Sequence, residues 1–304
     1  MKEVDVVIVG SGIAGISAAI YLKRSSFSFV LLEKGMSGGK LNIIHKIDNY
    51  PGYHSISGIE LSKALLEQCK SLGISSTYGE VNKIERKDDG FLVRTDLDSY
   101  LAKAVIIASG LVEARLGIPG EKEYFGKGVS YCATCDGPFF KNKDVAVYGY
   151  KDYAFEDAIY LSSLVNHLYM ILPKQKEATE AHYKELSNYK NVTILKNYCL
   201  KEIKGDNKVT SIVISNGDAK EIEVSAVFPL AEQLSTSIFL SSLDVDMVNG
   251  FIKIDNESKT NIEGIFAAGD IVYKKVKQLV NAASEGAIAA ISSINYVRRS
   301  KSNG

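Results

Sequence analysis

The chain opens with an apolar run of mostly β-branched residues, Val4 to Val9, which is typical of a strand buried in a parallel sheet. A glycine-rich turn, Gly10 to Gly15, follows, and apolar positions then recur at helical spacing from Ile16 to Leu22. A second apolar run, Phe27 to Leu32, predicts the next parallel strand. This strand–helix–strand order is the βαβ unit, so the pattern predicts an α/β protein.

The same pattern returns in the middle of the chain. The segment DVAVYGYKDYAFEDAIYL, Asp144 to Leu161, aligns without gaps with DVVIVGSGIAGISAAIYL, Asp5 to Leu22. A further apolar run, His167 to Leu172, follows where the next strand is expected. The repeat predicts an α/β fold class with two Rossmann-like three-layer domains.

Length, charge and hydropathy narrow the class of protein. With 304 residues, 46% of them hydrophobic, the chain is long enough for about two domains with separate cores. Lys plus Arg and Asp plus Glu both number 36, which argues against nucleic acid or a membrane surface as the main partner. No apolar run reaches the roughly 18 residues of a membrane span, and the chain opens on a strand rather than a signal peptide, so we expect a cytoplasmic protein.

The first glycine-rich turn has the G-x-G-x-x-G spacing of a dinucleotide-binding site. In such a turn Gly10 permits the tight bend, Gly12 lets the main chain approach a pyrophosphate, and Gly15 lets helix and strand pack closely. The helix that follows directs free N–H groups and a positive dipole at the phosphates. Glu33, after the second strand, is placed to bind ribose hydroxyls. Together these features predict a bound dinucleotide.

Cysteine usage indicates redox chemistry. The chain has four cysteines, too few for a secreted disulfide scaffold, and Cys132 and Cys135 form a C-x-x-C pair. Such a pair at the start of a helix in a cytosolic α/β protein is typical of a reducible dithiol. The histidines are scattered, so no metal site is expected. Cys69, on a predicted helix from Ile59 to Leu72, and Cys199 are expected to be buried, inert thiols.

Several segments together resemble the low-molecular-weight flavoprotein thioredoxin reductases over nearly the whole chain. The segment GVSYCATCDGPFF, Gly128 to Phe140, is similar to the active site of that family, down to C-A-T-C-D. Further similar segments follow the order of the family: DNYPGY at Asp48 to Tyr53, ASG at Ala108 to Gly110, and TNIEGIFAAGDIV at Thr260 to Val272.

The resemblance implies an FAD-binding domain, residues 1–114 and 246–304, split around a central dithiol domain with a degenerate nucleotide site, residues 115–245. In that family the aspartate of the A-G-D segment, Asp270 here, bonds the ribityl chain, and the N-terminus of the next helix points at the isoalloxazine. The FAD contacts that the resemblance implies are Gly10, Gly12, Gly15, Glu33, Gly39, Lys40, Leu41, Asn49, Gly110, Gly269, Asp270, Lys277, Gln278 and Leu279.

The resemblance also implies roles at the dithiol. Cys135 would lie next to the flavin, Cys132 would attack the disulfide of a partner, and Asp136 would protonate the leaving thiolate. The implied partner is a thioredoxin or a thioredoxin-like protein. Members of the family are usually homodimers, so a homodimer is expected here as well.

The repeated segment lacks the residues that would hold a second nucleotide. Lys151 stands at the place of Gly12, where its side chain would occupy the space that a pyrophosphate needs, and Leu172 stands at the place of Glu33. The resembled reductases place arginines after this strand to bind the 2′-phosphate of NADPH. This chain has Lys174 and Lys176 there, which could still hold a phosphate as point charges. We therefore expect FAD, but not NADPH, to bind.

This combination resembles the ferredoxin-dependent branch of the flavin thioredoxin reductases, which keeps FAD and C-x-x-C without the NADPH motifs. Reduced ferredoxin would then supply the electrons one at a time. A ferredoxin is usually acidic, and YKKVK, Tyr273 to Lys277, is a candidate basic docking segment, with a solvated loop as the more ordinary interpretation.

Three alternatives remain open from the sequence. The chain could be an NADPH-dependent thioredoxin reductase with a divergent pocket, an oxygen-dependent flavin dithiol oxidase, or a non-catalytic FAD redox sensor. Asp136 favours catalysis over sensing, because a sensor needs no proton donor. A ferredoxin/flavodoxin–NADP reductase is disfavoured, because such an enzyme would not need the C-A-T-C segment.

Overall fold

The computed structural model of the chain describes residues 1–44, 46–113, 115–173, 180–230, 233–235 and 238–302. This described part of the chain forms two compact units. The first unit comprises Met1–Val112 and Leu234–Gly304, and the second comprises Glu113–Gln233.

The N-terminal part of the chain begins with the predicted strand–helix–strand order. Its helices are α1 (Ile13–Arg24) and α2 (Gly58–Ser71), and a 3-10 turn spans Gly39–Ile43. Its strands are β1 (Lys2–Val9), β2 (Phe29–Glu33), β3 (Ser76–Tyr78), β4 (Val81–Lys87), β5 (Gly90–Thr95), β6 (Ser99–Ile107) and β7 (Leu111–Glu113).

The middle of the chain repeats the order and then adds antiparallel strands. Its helices are α3 (Ala133–Asp136), α4 (Asp152–Ser162) and α5 (Glu180–Leu186), and a 3-10 turn spans Gly137–Phe140. Its strands are β8 (Asp144–Gly149), β9 (His167–Leu172), β10 (Val192–Lys196), β11 (Cys199–Gly205), β12 (Val209–Ser215), β13 (Ala219–Glu223) and β14 (Ala226–Leu230).

The C-terminal part of the chain contains short strands and one long helix. The strands are β15 (Gln233–Ser235), β16 (Met247–Val248), β17 (Phe251–Ile252) and β18 (Ile265–Ala267). A 3-10 turn at Gly269–Ile271 separates β18 from the helix α6 (Leu279–Ser302), which has 24 residues.

The main sheet of the first unit has the strand order β3-β2-β1-β6-β5-β4, and β18 also pairs with β6. The pairs β1–β2, β1–β6, β2–β3 and β6–β18 are parallel, whereas β4, β5 and β6 pair in antiparallel order. The carboxyl ends of the parallel strands therefore meet at one edge of the sheet, where ligands bind in open α/β folds.

The parallel sheet of the second unit has the order β10-β9-β8-β14, and β11, β12 and β13 form a separate antiparallel sheet. The repeat predicted from the sequence is visible in the strand register. In the first unit Val9 pairs with Leu32, and in the second Tyr148, the aligned residue, pairs with Ile171. The two βαβ segments thus share one backbone plan.

Side chains on both faces of each parallel sheet are buried, as the apolar runs predicted. In β1, Val6 and Ile8 pack under the helices α1 and α6, while Val7 packs in a second cluster on the opposite face. The α/β class with Rossmann-like sheets is therefore confirmed. No helix in the described ranges is long and apolar enough to cross a membrane.

The second chain crossing between the units lies earlier than the expected boundary at residue 245. Residues 234–245 belong to the first compact unit, not to the second. The physical reason is burial: Phe239 and Leu240 are 7% and 1% exposed and pack with Ile84 and Ile265 in the core of the first unit.

A close approach between α1 and α6 depends on a glycine. A Cβ atom added to Gly286 of α6 would lie 2.1 Å from the carbonyl oxygen of Ala14 in α1. Helix propensity alone would make Gly286→Ala stabilising by roughly 1 kcal/mol. We expect the steric overlap with Ala14 to outweigh this gain in helix propensity, so that the substitution lowers the free energy of unfolding by about 2 kcal/mol. Urea denaturation measures the difference.

The exposed Ser284, on the same helix, provides the matched control. Ser284→Ala should raise stability by a few tenths of a kcal/mol, because alanine is the better helix former. A Gly286→Ala protein as stable as wild type would contradict the packing argument.

Candidate active site

The first glycine-rich turn lies between the end of β1 and the start of α1. Gly10 has φ +104°, and a Cβ there would lie 2.4 Å from the carbonyl oxygen of Ala108. A Cβ at Gly15 would lie 1.8 Å from the carbonyl oxygen of Gly10. A Cβ at Gly12, by contrast, meets no atom within 4 Å. Gly10 and Gly15 are therefore needed by the protein itself, whereas Gly12 borders open space at a helix N-terminus.

Glu33 lies beside this turn and is already held in place. Its Oε2 accepts hydrogen bonds from the backbone N–H of Ser11 at 2.8 Å and from the Ser11 hydroxyl at 2.9 Å. Its Oε1 accepts from the backbone N–H of Gly35 at 2.9 Å. Ser11 is fully buried and was not among the predicted site residues, although its place between two glycines of the motif was a usable signal.

The Gly38-Gly39 segment faces the same turn. A Cβ at Gly39 would lie 3.3 Å from the Cα of Gly12, so the two glycine main chains are neighbours. The next residue, Lys40, places its Nζ 3.2 Å from Oδ2 of Asp270. Leu41 is 1% exposed, so its side chain belongs to the core and only its main chain remains for a ligand.

Gly110 and Gly269 follow β6 and β18, which are parallel neighbours. Both have positive φ, +66° and +82° respectively. A Cβ at Gly110 meets no atom within 4 Å, whereas one at Gly269 would lie 3.1 Å from Cβ of Ala14 in α1. The structure thus places the expected Asp270 segment against the first turn of α1.

The N-terminal end of α6 contributes the last group of expected contacts. Asn49 donates from Nδ2 to Oε1 of Gln278 at 3.0 Å, which connects the DNYPGY segment to the start of this helix. The ammonium group of Lys277 lies 3.5 Å from the ring centroid of Phe251. Leu279 is the first residue of α6.

Glu285 of α6 connects two parts of the segment that precedes this helix. Its Oε2 accepts a hydrogen bond from the backbone N–H of Gly269 at 2.8 Å and an ion-pair contact from Lys274 Nζ at 2.6 Å. The two charged side chains are only 13% (Lys274) and 18% (Glu285) exposed. This arrangement was not predicted, because nothing in the sequence spacing of Lys274 and Glu285 marks them as partners.

The residues of the first unit fit FAD. Gly12 and Gly110 each border open space that any larger side chain would occupy. Because both residues are glycines, this space is available to a ligand. The turn at Gly12 opens onto the N-terminus of α1, which favours phosphate groups. Glu33 provides a fixed carboxylate for ribose hydroxyls, and Asp270 a second carboxylate on the neighbouring segment.

The dithiol lies in the second unit at the first turn of α3. Cys132 and Cys135 form a disulfide with a Cα–Cα distance of 5.3 Å. Cys132 is the N-cap residue, and its Sγ accepts a hydrogen bond from the backbone N–H of Cys135 at 3.2 Å. The Thr134 hydroxyl lies 3.5 Å from the same sulfur. These donors favour a thiolate on Cys132 once the disulfide is reduced.

Hydrogen bonds of neighbouring residues fix the dithiol segment within the second unit. Asp136, half-buried, ends α3 and donates its backbone N–H to the carbonyl oxygen of Cys132 at 3.1 Å. Tyr131, immediately before Cys132, donates its hydroxyl to Oε1 of Glu121 at 2.7 Å. Glu121 is 2% exposed and also accepts the backbone N–H groups of residues 116 and 117 at 3.0 and 2.8 Å. Glu121 and Tyr131 were not among the predicted site residues.

The equivalent turn in the second unit, between β8 and α4, differs from the first in its side chains. Lys151 is the N-cap residue of α4, with backbone angles close to those of Gly12 at the start of α1. It is exposed, and its ammonium group lies 5.9 Å from the ring centroid of Tyr150. Leu172 is 1% exposed, at the position equivalent to Glu33. Lys174 and Lys176 lie outside the described residues.

The remaining cysteines differ from each other. Cys69 is buried, as expected, and burial raises the pKa of its thiol. Cys199, expected to be buried, is half-buried instead, because it is the first residue of β11, which is an edge strand of its sheet. Burial, together with this thiol, raises the pKa of Tyr148 to about 12.

Comparison with known proteins agrees with this geometry. The sequence pattern of the family described as pyridine nucleotide-disulphide oxidoreductase matches residues 4–286. The thioredoxin reductase of Treponema pallidum is 37% identical over 304 residues, with 97% of each chain covered.

Solved structures are similar over the same length. A thioredoxin reductase from Streptococcus pyogenes has a TM-score of 0.91 at 36% identity, covering 98% of this chain and 99% of that one. A ferredoxin-flavin thioredoxin reductase from Clostridium acetobutylicum has a TM-score of 0.57 at 35% identity, with 99% of each chain covered. The chain therefore belongs to the pyridine nucleotide-disulphide oxidoreductase family, and it is a flavoprotein disulfide oxidoreductase.

Proposed function

We propose that the protein is an FAD-dependent thioredoxin reductase that passes electrons through Cys132 and Cys135 to the disulfide of a thioredoxin, with reduced ferredoxin as the donor. The observation that carries the reductase assignment is the Cys132–Cys135 disulfide at the first turn of α3, in a chain whose first unit fits FAD. The names of the similar proteins from Treponema pallidum and Streptococcus pyogenes support the same activity.

The first unit would bind and orient FAD. When bound, FAD takes up electrons from the donor and delivers two of them to the disulfide. The main chain at Gly12 would face the pyrophosphate, Glu33 would bind ribose hydroxyls, and Asp270 would hold the ribityl chain. Ser11 would fix the carboxylate of Glu33 through the two hydrogen bonds described above.

The dithiol would carry out thiol–disulfide exchange. Two electrons and two protons convert the Cys132–Cys135 disulfide into two thiols. The Cys132 thiolate then attacks one sulfur of the thioredoxin disulfide, and Asp136 protonates the thiolate that leaves. Attack by Cys135 on the resulting mixed disulfide releases reduced thioredoxin and restores the Cys132–Cys135 bond.

The second unit supports a donor other than NADPH. The side chain of Lys151 stands at the helix N-terminus where the first unit has Gly12, and the apolar Leu172 replaces the ribose-binding carboxylate. The similar structure from Clostridium acetobutylicum is named a ferredoxin-flavin thioredoxin reductase, which supports ferredoxin as the alternative. The resemblance also supports a homodimer and a cytoplasmic location.

Anaerobic mixing of the oxidised protein with NADPH, and separately with NADH, tests the donor. We expect the flavin absorbance to stay unchanged with both nucleotides and to bleach with reduced ferredoxin, because the second unit lacks the contacts that a nucleotide needs. Rapid bleaching by NADPH would contradict the ferredoxin assignment and leave an NADPH-dependent reductase.

Trapping of the mixed disulfide tests the roles of the two cysteines. We expect Cys135→Ser to accumulate a covalent complex with thioredoxin, because Cys132 can still attack and the thiol that would resolve the mixed disulfide toward reduced thioredoxin is missing; only reversal by the thioredoxin thiol remains. Non-reducing electrophoresis and mass spectrometry detect the complex. Cys199→Ser, which alters a cysteine outside the disulfide, should leave turnover unchanged. A complex formed by Cys132→Ser and not by Cys135→Ser would reverse the assigned roles.

The candidate docking segment at Tyr273 to Lys277 is only partly the basic patch that the sequence suggested. Lys274 is paired with Glu285, and Lys277 lies against Phe251, which leaves Lys275 as the exposed lysine of this segment. The neighbouring apolar side chains Tyr273, Val276 and Val280 are 53%, 56% and 44% exposed. Exposed apolar side chains beside a cationic residue suit an acidic protein partner.

Charge reversal at Lys275 tests this surface. We expect Lys275→Glu to raise the KM for reduced ferredoxin about 10-fold at low salt, with a smaller effect at high salt, because the interaction is electrostatic. Flavin reduction by dithionite should not change. Lys63→Glu, at an exposed position of α2, is the matched control and should leave the KM unchanged. Equal effects of both reversals would point to net charge rather than to a docking surface.

A further inference from the structure

The side chain of Glu285 contacts the segment that separates β18 from α6. Glu285 belongs to the second turn of α6, and its side chain reaches back toward the N-terminal end of that helix, as helical side chains do. There its Oε2 accepts both the Gly269 backbone N–H at 2.8 Å and the Lys274 ammonium group at 2.6 Å.

This arrangement fixes a segment on which the flavin site depends. Gly269 packs within 3.1 Å of Ala14 in α1 and 4.0 Å of Ala282 in α6, measured from its added Cβ, so it lies between the two helices. The next residue, Asp270, contacts Lys40. Gly269, Asp270 and the residues just before α6 are all among the proposed FAD contacts. One carboxylate therefore restrains both the start and the middle of the segment that contains them.

The electrostatics explain why the restraint needs both partners. The side chains of Glu285 and Lys274 are 18% and 13% exposed, so neither charge is well solvated. When one member of a poorly solvated ion pair is removed, the charge of the other member stays uncompensated, which is costly. The exposed Glu257–Lys259 pair of the same unit, at 63% and 44%, has no such cost.

We propose that Glu285 is a positioning residue for FAD, and that it acts through the Gly269 backbone N–H and the Lys274 ammonium group rather than by touching the cofactor. In this role it holds the Gly269–Asp270 main chain in the conformation that receives the ribityl chain. Lys274 neutralises the carboxylate so that it can remain there with little contact to water. The inference rests on the proposed FAD contacts of the first unit.

The experiment measures FAD affinity directly. Purified holoprotein is diluted, and the fluorescence of the released FAD gives the dissociation rate and the Kd. We expect Glu285→Gln to raise the Kd about 10-fold or more, because the poorly solvated Lys274 loses its counter-charge and Gly269 loses a charged acceptor. The double variant Lys274→Met/Glu285→Gln should recover part of this loss, because it removes the unpaired charge.

Two comparisons separate positioning from a general loss of stability. Glu257→Gln breaks the exposed pair in the same unit and should leave the Kd unchanged. The melting temperature is measured with and without added FAD, and we expect Glu285→Gln to reduce the increment that FAD produces. If Glu285→Gln does not fold, Lys274→Met provides the same readout from the other partner.

The outcomes separate this inference from the proposed function. A wild-type protein that does not bind FAD would overturn the proposed function itself. A wild-type protein that binds FAD, together with Glu285→Gln and Lys274→Met variants that keep the wild-type Kd, would overturn the positioning role alone. A lower melting temperature with an unchanged FAD increment would also overturn it, because Glu285 would then support only the fold.

Discussion

The first unit depends on the close approach of main chains at positions where no side chain fits. Gly10 lies against the carbonyl of Ala108, Gly15 against the carbonyl of Gly10, and Gly286 of α6 against the carbonyl of Ala14. These contacts draw β1, β6, α1 and α6 together at one edge of the sheet. They also leave Gly12 facing open space at a helix N-terminus, where an anionic group is favoured.

The second unit uses the same backbone plan without the same chemistry. Its strand register repeats that of the first unit, and Ala154 occupies the place of Gly15. A Cβ at Gly149 would still meet the carbonyl of Leu230 at 2.6 Å, so the tight strand-to-strand contact is retained. What differs is the side chain of Lys151 at the helix start and the buried Leu172. The same unit also holds α3 and its disulfide, so its architecture has a role that does not depend on a bound nucleotide.

The sequence predicted the elements well where the pattern was long and apolar. The runs at Val4 to Val9 and His167 to Leu172 became buried parallel strands, and the helix expected at Ile59 to Leu72 was found at Gly58–Ser71. It failed where burial depends on distant neighbours. Cys199 is half-buried rather than buried, and Phe239 and Leu240 pack in the core of the first unit. Neither outcome has a local signal, because the partners lie far away in the chain.

The sequence by itself determined the α/β class, the repeated βαβ unit, the glycine turn and the dithiol, since each rests on spacing within a short segment. Only the tertiary structure decided which distant side chains meet: Ser11 with Glu33, Glu121 with Tyr131, and Lys274 with Glu285. It also removed two of the three lysines of the YKKVK segment from the exposed surface, through Glu285 and Phe251. The physical reason is that a charge or a hydroxyl takes its role from its burial and its partners, and both are set by how the elements pack.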